Sequence, residues 1–123
     1  MNHDITIYEK PTCSTCRQVK KVFDSHGIEF ETINYIIDPP SKSGLEKIIS
    51  GLDVPMQELV RTKEEEFKKL NMDISTMSKA DIVTVLHHHP GLMQRPVIEI
   101  RGKYVLGRPV GKIEKFLDEM AKK

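Results

Sequence analysis

Residues 5–17 have the sequence ITIYEKPTCSTCR, and this stretch decides how the rest of the chain is interpreted. The apolar run at residues 5–8 predicts a strand, and a helical pattern follows directly after the first cysteine. Cys13 and Cys16, the two cysteines of the 123-residue chain, therefore lie where a strand passes into a helix. Unpaired backbone N–H groups and the positive end of the helix dipole meet Cys13 there, and both favour the reactive thiolate. The pattern predicts a redox or nucleophilic site.

The spacing of the two cysteines predicts that they have different roles. A disulfide closes within one helical turn only if Cys13 lies at or just before the helix start, so we expect Cys13 to be exposed and Cys16 half-buried. Cys13 would then attack, and Cys16 would resolve the adduct. Two alternatives are a pair of small buried apolar side chains and a zinc site completed by the histidines at 87–89. Three adjacent side chains on a helix point in three directions, so we expect no metal.

Composition limits the class of protein. The length predicts a single domain over residues 1–123, and 38% hydrophobic with 30% charged residues is typical of a soluble globular chain. A net charge of +1 argues against direct binding of nucleic acid. No apolar run approaches the roughly 20 residues of a membrane helix, and no secretory signal is expected. With only two cysteines and no expected secretory signal, the chain is predicted to be cytoplasmic. A monomer without a bound cofactor is the default expectation.

The order of predicted elements indicates a mixed α/β fold with four strands. Residues 5–33 form a strand–helix–strand unit that favours a parallel pair with a right-handed crossover. Residues 41–90 form a helical insertion, in which Ser41 caps one helix and Ser78 with Asp81 forms an approximate capping box. Within it, a charged helix is predicted at about residues 63–71. A hairpin at 96–106 and a helix from about Lys112 complete the order β-α-β, helices, β-β-α.

Three arginines stand at the ends of predicted elements. Arg95 precedes Pro96, Arg108 precedes Pro109, and Arg61 ends a short helix predicted at about residues 55–61. A residue before proline is driven to extended geometry, and a proline that faces the cysteines from a strand start can be cis. Taken singly, an arginine is more often a solvated surface residue. Converging guanidinium groups would instead form a cradle for an oxyanion.

These motifs together resemble the glutaredoxin-coupled arsenate reductase (ArsC) family, which also contains the Spx-type transcriptional regulators. The resemblance spans residues 5 to about 117. The matching stretches lie at residues 7–17, Tyr35, 39–40, 59–61, Leu86, 89–92, 95–96 and 107–109. The resemblance implies a thioredoxin/glutaredoxin-like fold, with a mixed four-stranded sheet and a helical insertion.

The family also implies roles for individual residues. The cysteine that matches Cys13 attacks arsenate, while arginines that match Arg61, Arg95 and Arg108 hold the oxyanion and the adduct. The proline that matches Pro96 is cis. Glutathione then attacks the adduct, and glutaredoxin completes the reduction to arsenite. Arsenate is a near-tetrahedral dianion, which suits forked guanidinium donors and the N–H groups of a helix start.

Two positions depart from the family pattern. Many of these reductases have a small residue other than cysteine where Cys16 stands, so this chain can form an internal disulfide that a thioredoxin recycles. Some members have a histidine near the nucleophile where this chain has Glu9, an acidic group that does not promote thiolate formation. The reductant can thus be glutathione with glutaredoxin, or a reduced thiol protein.

Two further hypotheses compete with the enzyme. A Spx-like regulator would bind the RNA polymerase α subunit and use Cys13 and Cys16 as a redox switch. The Arg108-Pro109 pair favours the enzyme, because a third guanidinium has a clear task only when an oxyanion is bound. The third hypothesis is a fold relative with neither role, in which Cys13 handles glutathione or protein thiols.

Overall fold

The computed structural model describes residues 5–10, 12–107 and 110–121, and they form a four-stranded sheet covered by helices on both faces. The strands are β1 (Ile5–Glu9), β2 (Glu31–Asn34), β3 (Val97–Ile100) and β4 (Lys103–Leu106). The helices are α1 (Ser14–Ser25), α2 (Lys42–Gly51), α3 (Glu65–Lys68), α4 (Lys79–His88) and α5 (Val110–Ala121). Short 3₁₀ helices occur at Met56–Leu59, Ile74–Thr76 and Pro90–Leu92.

The sheet has the strand order β2-β1-β3-β4. β1 and β2 are parallel, with Ile7 opposite Thr32, as the strand–helix–strand pattern predicted. β3 runs antiparallel to β1 and to β4, so the predicted hairpin is confirmed. The mixed four-stranded α/β architecture expected from the sequence is therefore the observed one.

One face of the sheet packs against α1 and α5. Alternation along β1 directs Ile5 and Ile7 to this face, where they meet Val19 and Phe23 of α1. Ile113 of α5 closes the same apolar cluster. This packing fixes the first turn of α1, and with it the cysteines, at the end of β1.

The other face carries the helical insertion. α2 and α4 pack on each other over a larger cluster, which includes Leu45, Ile48, Ile82 and Leu86. Predicted caps define both helices: the Ser41 hydroxyl accepts from the Gly44 N–H at 3.1 Å. The hydroxyl of Ser78 and the carboxylate of Asp81 satisfy each other's backbone N–H groups in a full capping box.

Several predicted boundaries were wrong. The charged helix expected at residues 63–71 is the four-residue α3, and Glu64 bonds to Arg61 while Lys68 lies 3.9 Å from Glu65. The chain turns away soon afterwards, since Asn71 has a φ of 53°. β2 is limited to Glu31–Asn34, because the Ile28 N–H still bonds to the end of α1 at the Phe23 carbonyl. In the described ranges, no helix combines the length and apolar character needed to cross a bilayer.

Candidate active site

Cys13 occupies the N-cap of α1, where the sequence pattern placed it. Its backbone is extended, with φ −83° and ψ 119°, and its Sγ accepts from the Cys16 N–H at 3.2 Å. The Cys13 N–H donates in turn to the Lys10 carbonyl at 2.9 Å, which fixes the turn between β1 and α1. The helix start therefore directs a backbone donor at the sulfur, an arrangement that favours a thiolate.

Both cysteines are more deeply buried than predicted. Cys13 is 8% exposed rather than open to solvent, and Cys16 is fully buried rather than half-buried. The reason for Cys16 is its place on the stripe of α1 that faces the sheet, in line with Val19 and Phe23. The Arg95 side chain lies near Cys13 and interacts electrostatically with it. Both side chains are free thiols in this structure.

Arg95 is held near Cys13 by a buried tyrosine. Its Nη1 donates to the Tyr35 hydroxyl at 3.2 Å and lies 3.4 Å from the Gly91 carbonyl. The Tyr35 hydroxyl donates to the Met93 carbonyl at 2.9 Å, and the whole side chain is inaccessible to solvent. Burial raises the pKa of the Tyr35 phenol, and the hydrogen bond from Arg95 partly opposes that rise. Tyr35 thus remains a neutral anchor for the guanidinium group at neutral pH.

Arg61 is brought to the same region by a short antiparallel pairing of two loops. Val60 bridges Met93. Residues on either side add two bonds, Arg61 N–H to the Leu92 carbonyl at 2.7 Å and Gln94 N–H to the Leu59 carbonyl at 2.6 Å. The positive charges of Arg61 and Arg95 both act on the Tyr35 phenol. The structure therefore groups two of the three predicted arginines around Tyr35, with Arg95 also near Cys13.

The Arg61 guanidinium is only partly satisfied. Its Nη1 donates to Gln94 Oε1 at 2.8 Å, and its Nη2 donates to Glu64 Oε2 at 3.2 Å. Its Nε is buried and has no acceptor within the part of the chain that the structure describes. A buried donor without a partner is costly, so an incoming oxyanion would be stabilised there. The third predicted arginine, Arg108, lies with Pro109 outside the described residues.

The Cys16 thiol is a weak acid in the folded protein. The pKa of Cys16 is raised to about 12, first by burial and then by its hydrogen bond to Cys13. The charges of Cys13 and Glu9 add to the rise, while a hydrogen bond from the Lys10 backbone opposes it. Cys16 therefore keeps its proton at neutral pH.

Two predicted features remain, the cis-proline and the histidine run. The Arg95–Pro96 peptide bond is cis, the isomer that the resemblance implies. The histidine run points elsewhere: His89 Nδ1 lies 2.7 Å from Glu66 Oε2, and the rings of His87 and His88 meet edge to face. Across residues 5–10, 12–107 and 110–121, no three histidine, cysteine or acidic side chains are grouped to hold a metal ion.

Sequence reasoning did not assign a role to Tyr35, Gln94 or Glu64. Tyr35 had one usable signal, because it directly follows β2 at the edge of the sheet where parallel β1 leads into the cysteines. Gln94 and Glu64 had none, since each matters only through its bond to Arg61. The three residues orient the two arginines.

A Cys-x-x-Cys pair at the start of the first helix, on a four-stranded mixed sheet and near a cis-proline, defines a protein of thioredoxin-like fold. Within that fold the chain belongs to the ArsC family, whose sequence model matches residues 8–116.

Relatives of two kinds lie at similar distance. An arsenate reductase from Neisseria meningitidis is 30% identical over 93% of this chain and 98% of its own length. The global transcriptional regulator Spx from Bacillus subtilis is 28% identical over 92% of this chain and 86% of its own. Among solved structures, arsenate reductase from Vibrio cholerae has a TM-score of 0.83 and 28% identity, covering 93% of this chain and 98% of that one. Family membership therefore leaves both an enzyme and a regulator open.

Proposed function

We propose that the protein is a thiol-dependent reductase of arsenate or a related oxyanion, with Cys13 as the nucleophile. The proposal rests chiefly on one observation: the Cys13 sulfur accepts a hydrogen bond from the Cys16 N–H at the start of α1 and interacts electrostatically with the Arg95 guanidinium. A cation and a helix-start donor on one sulfur stabilise a thiolate. Neither contact is needed by a cysteine that only fills the core.

The same groups suit the substrate. The Arg61 Nε is a buried donor that awaits an acceptor, and Arg95 presents a guanidinium beside the nucleophile. Forked guanidinium donors match the oxygens of a tetrahedral anion and gain strength as negative charge grows in the transition state. Arg108 is proposed as a third donor.

The chemistry requires two thiols. The Cys13 thiolate attacks arsenic, a sulfur–arsenic bond forms, and one substrate oxygen leaves as water after protonation. A second thiol then attacks the Cys13 sulfur. A disulfide forms, the electron pair of the sulfur–arsenic bond stays on arsenic, and As(V) becomes As(III), released as arsenite. The second thiol is Cys16 or glutathione, and thioredoxin or glutaredoxin reduces the resulting disulfide.

We place this reaction in the cytoplasm, in a monomer without a bound cofactor. Cytoplasmic thiol pools keep such cysteines reduced between turnovers. Cys16 already lies close to Cys13 in the free protein, since its N–H donates to the Cys13 sulfur, and this proximity favours the internal route over glutathione.

The experiment is arsenate turnover by the purified protein with the glutathione–glutaredoxin system and, separately, with the thioredoxin system. Cys13→Ser should abolish turnover with both. Cys16→Ser should abolish turnover with thioredoxin if Cys16 resolves the adduct, and should leave it with glutaredoxin if glutathione does. Absence of turnover with either system would overturn the proposal.

A second candidate function is a Spx-like redox switch that binds the RNA polymerase α subunit. It is favoured by two free thiols that already lie close together and by the similarity to Spx. A pull-down with the α subunit, run with reduced and with oxidised protein, should show binding that depends on the disulfide. Failure to recover the subunit in either state would remove this candidate.

A further inference from the structure

Glu9 is the one charged residue that is buried in the described part of the chain, with 6% of its surface exposed. It ends β1 and shares the α1-facing side of that strand with Ile5 and Ile7. A buried carboxylate is costly unless it is compensated, and a residue such as leucine would pack against α1 without that cost.

Among residues whose positions are described, the buried carboxylate of Glu9 has an ion-pair partner but lacks a hydrogen-bond donor at one oxygen. Lys20 Nζ lies 2.7 Å from its Oε1, which forms an ion pair. The same Oε1 has no donor in hydrogen-bonding geometry among the described residues. The carboxylate is therefore charge-balanced and still has capacity to accept a proton or a hydrogen bond.

Glu9 lies beside Cys16. Cys16 and Lys20 are separated by one turn of α1, so the helix face that reaches Glu9 also carries the Cys16 thiol. Cys16 lies at the end of β1, because its N–H donates to the Cys13 sulfur and the Cys13 N–H donates to the carbonyl of Lys10, the residue directly after Glu9. The negative charge of Glu9 acts on the Cys16 sulfur and adds to the rise in its pKa.

Other charged or titratable groups also lie near Glu9 and Cys16. Cys13 and Tyr35 also act on the Cys16 thiol, and Arg95 lies with them and interacts electrostatically with Cys13. Lys20 is the cation that pairs with Glu9, and its side chain is 28% exposed. Glu9 is thus the carboxylate near Cys16 and is linked to solvent through Lys20.

Cys16 faces a kinetic problem if it resolves a Cys13 adduct. Its thiol is fully buried and keeps its proton at neutral pH, and a protonated thiol reacts slowly unless a base removes that proton. We propose that Glu9 accepts the Cys16 proton as the Cys13–Cys16 disulfide forms and returns it when the disulfide is reduced. The inference rests on Cys16 acting as the resolving thiol in the proposed function.

An aryl disulfide can serve as the oxidant that forms the Cys13–Cys16 disulfide. The Cys13 thiolate attacks the reagent, forms a mixed disulfide and releases one aryl thiolate. The Cys16 sulfur then attacks the Cys13 sulfur while its proton passes to Glu9, and the second aryl thiolate leaves with the electron pair of the broken bond. The same proton transfer applies when the Cys13 sulfur carries arsenic instead.

The test follows both releases of a chromogenic aryl thiolate, from dithiobis(nitrobenzoate), by stopped-flow absorbance. The first phase depends on reagent concentration and reports Cys13, whereas the second does not and reports Cys16. Glu9→Gln should leave the first phase unchanged and slow the second on the order of 100-fold at neutral pH, the usual size of general-base catalysis. The first phase also shows that the variant retains the folded Cys13 site.

Three control variants sharpen the result. Glu29→Gln makes the same chemical change at an exposed position and should alter neither phase. Glu9→Asp keeps a carboxylate and should restore part of the second phase. Lys20→Gln keeps the base and should not slow the second phase, which separates proton transfer from loss of the ion pair.

The pH dependence of the second-phase rate distinguishes proton transfer by Glu9 from a purely structural role of this residue. In Glu9→Gln, the second-phase rate should rise about tenfold per pH unit toward the pKa of Cys16, while the wild-type rate is much flatter near neutrality. Equal second-phase rates and slopes in the two proteins would overturn the inference. The assay contains no arsenate, so its outcome is distinct from a failure of arsenate turnover: normal two-phase closure without turnover would contradict the proposed function alone.

Discussion

At the scale of single residues, a short chain of contacts joins the proposed nucleophile to the core. Arg95 interacts electrostatically with Cys13, Tyr35 accepts a hydrogen bond from Arg95, and the Tyr35 hydroxyl donates to the Met93 carbonyl. Each interaction restricts the next group, so the guanidinium is positioned before any substrate arrives. This chain makes two substitutions informative.

Arg95→Lys should lower arsenate turnover on the order of 100-fold, because a lysine offers a point charge in place of a planar fork. The measurement is kcat/KM for arsenate with the reductant system that supports turnover. Arg101→Lys is the matched control, since Arg101 lies in the exposed hairpin turn. Equal losses in the two variants would argue against a specific role for Arg95.

Tyr35→Phe should destabilise the protein by about 1–3 kcal/mol, because the buried Met93 carbonyl loses its donor. It should also slow alkylation of Cys13, since Arg95 loses its anchor. Urea unfolding and alkylation kinetics test the two effects separately. Tyr104→Phe, whose hydroxyl bonds to Glu99 instead, should leave Cys13 reactivity unchanged.

The sequence predicted the proposed nucleophile well and the side chains that surround it less well. Cys13 was predictable because the strand–cysteine–helix pattern is local, and the roles of the arginines came from the resemblance. Tyr35 and Arg95 are separated by 60 positions, and no local pattern predicts that their side chains meet. The burial of Cys13 was missed for the same reason, because burial depends on segments that are distant in the sequence.

At the scale of elements, helix ends were predicted best where a side chain caps them. Ser41 and Ser78 begin α2 and α4 as expected, because each meets a local hydrogen-bonding requirement. The stretch at 63–71 had helical charge spacing but forms only α3, as Glu64 is drawn to Arg61 and Glu66 to His89. A local i,i+3 pair with Arg61 and a tertiary pair with His89 took the place of the Glu–Lys pairs four residues apart that the spacing favoured.

Gly107 follows β4 and packs against the segment that carries Arg95. A Cβ at this position would lie 2.7 Å from Pro96 Cγ and 3.1 Å from Ile98 Cδ1. Gly107→Ala should therefore cost about 1–3 kcal/mol of stability and slow Cys13 alkylation as Pro96 and Arg95 shift. Urea unfolding together with alkylation rates measures both effects.

Gly111 provides the matched control on α5. A Cβ there would meet no atom within 4 Å, so Gly111→Ala should be neutral or stabilise by up to about 1 kcal/mol. If both glycine variants behaved alike, the close approach at Gly107 would have no energetic consequence.

At the scale of the whole molecule, the sheet brings three distant segments to one edge. β1 and α1 supply the cysteines, the residue after β2 supplies Tyr35, and the turn before β3 supplies Arg95. The order of elements predicted this meeting place in outline. The pairing of Val60 with Met93, which adds Arg61, had no sequence signature because it joins two irregular loops.

Burial of Cys16 should make folding stability depend on alkaline pH. The unfolded thiol ionises near pH 9, whereas the folded one keeps its proton to about pH 12. The folded state therefore binds more protons than the unfolded state in this window, and the free energy of unfolding falls as pH rises above 9. Urea unfolding between pH 9 and pH 10 should show a smaller fall for Cys16→Ala than for wild type, in a range below the ordinary pKa of tyrosine. Identical slopes would contradict the assigned burial.

The proposed reaction depends on an ionised Cys13 sulfur beside Arg95. The most direct measurement is the rate of alkylation at each cysteine as a function of pH, followed by mass spectrometry in wild type and in Arg95→Met. We predict that Cys13 reacts first, that its thiolate forms at lower pH in wild type than in Arg95→Met, and that Cys16 stays unmodified at neutral pH. If Cys13 instead reacts as an ordinary thiol, with the same pH profile in both proteins, then Arg95 does not stabilise a Cys13 thiolate and the proposed mechanism is wrong.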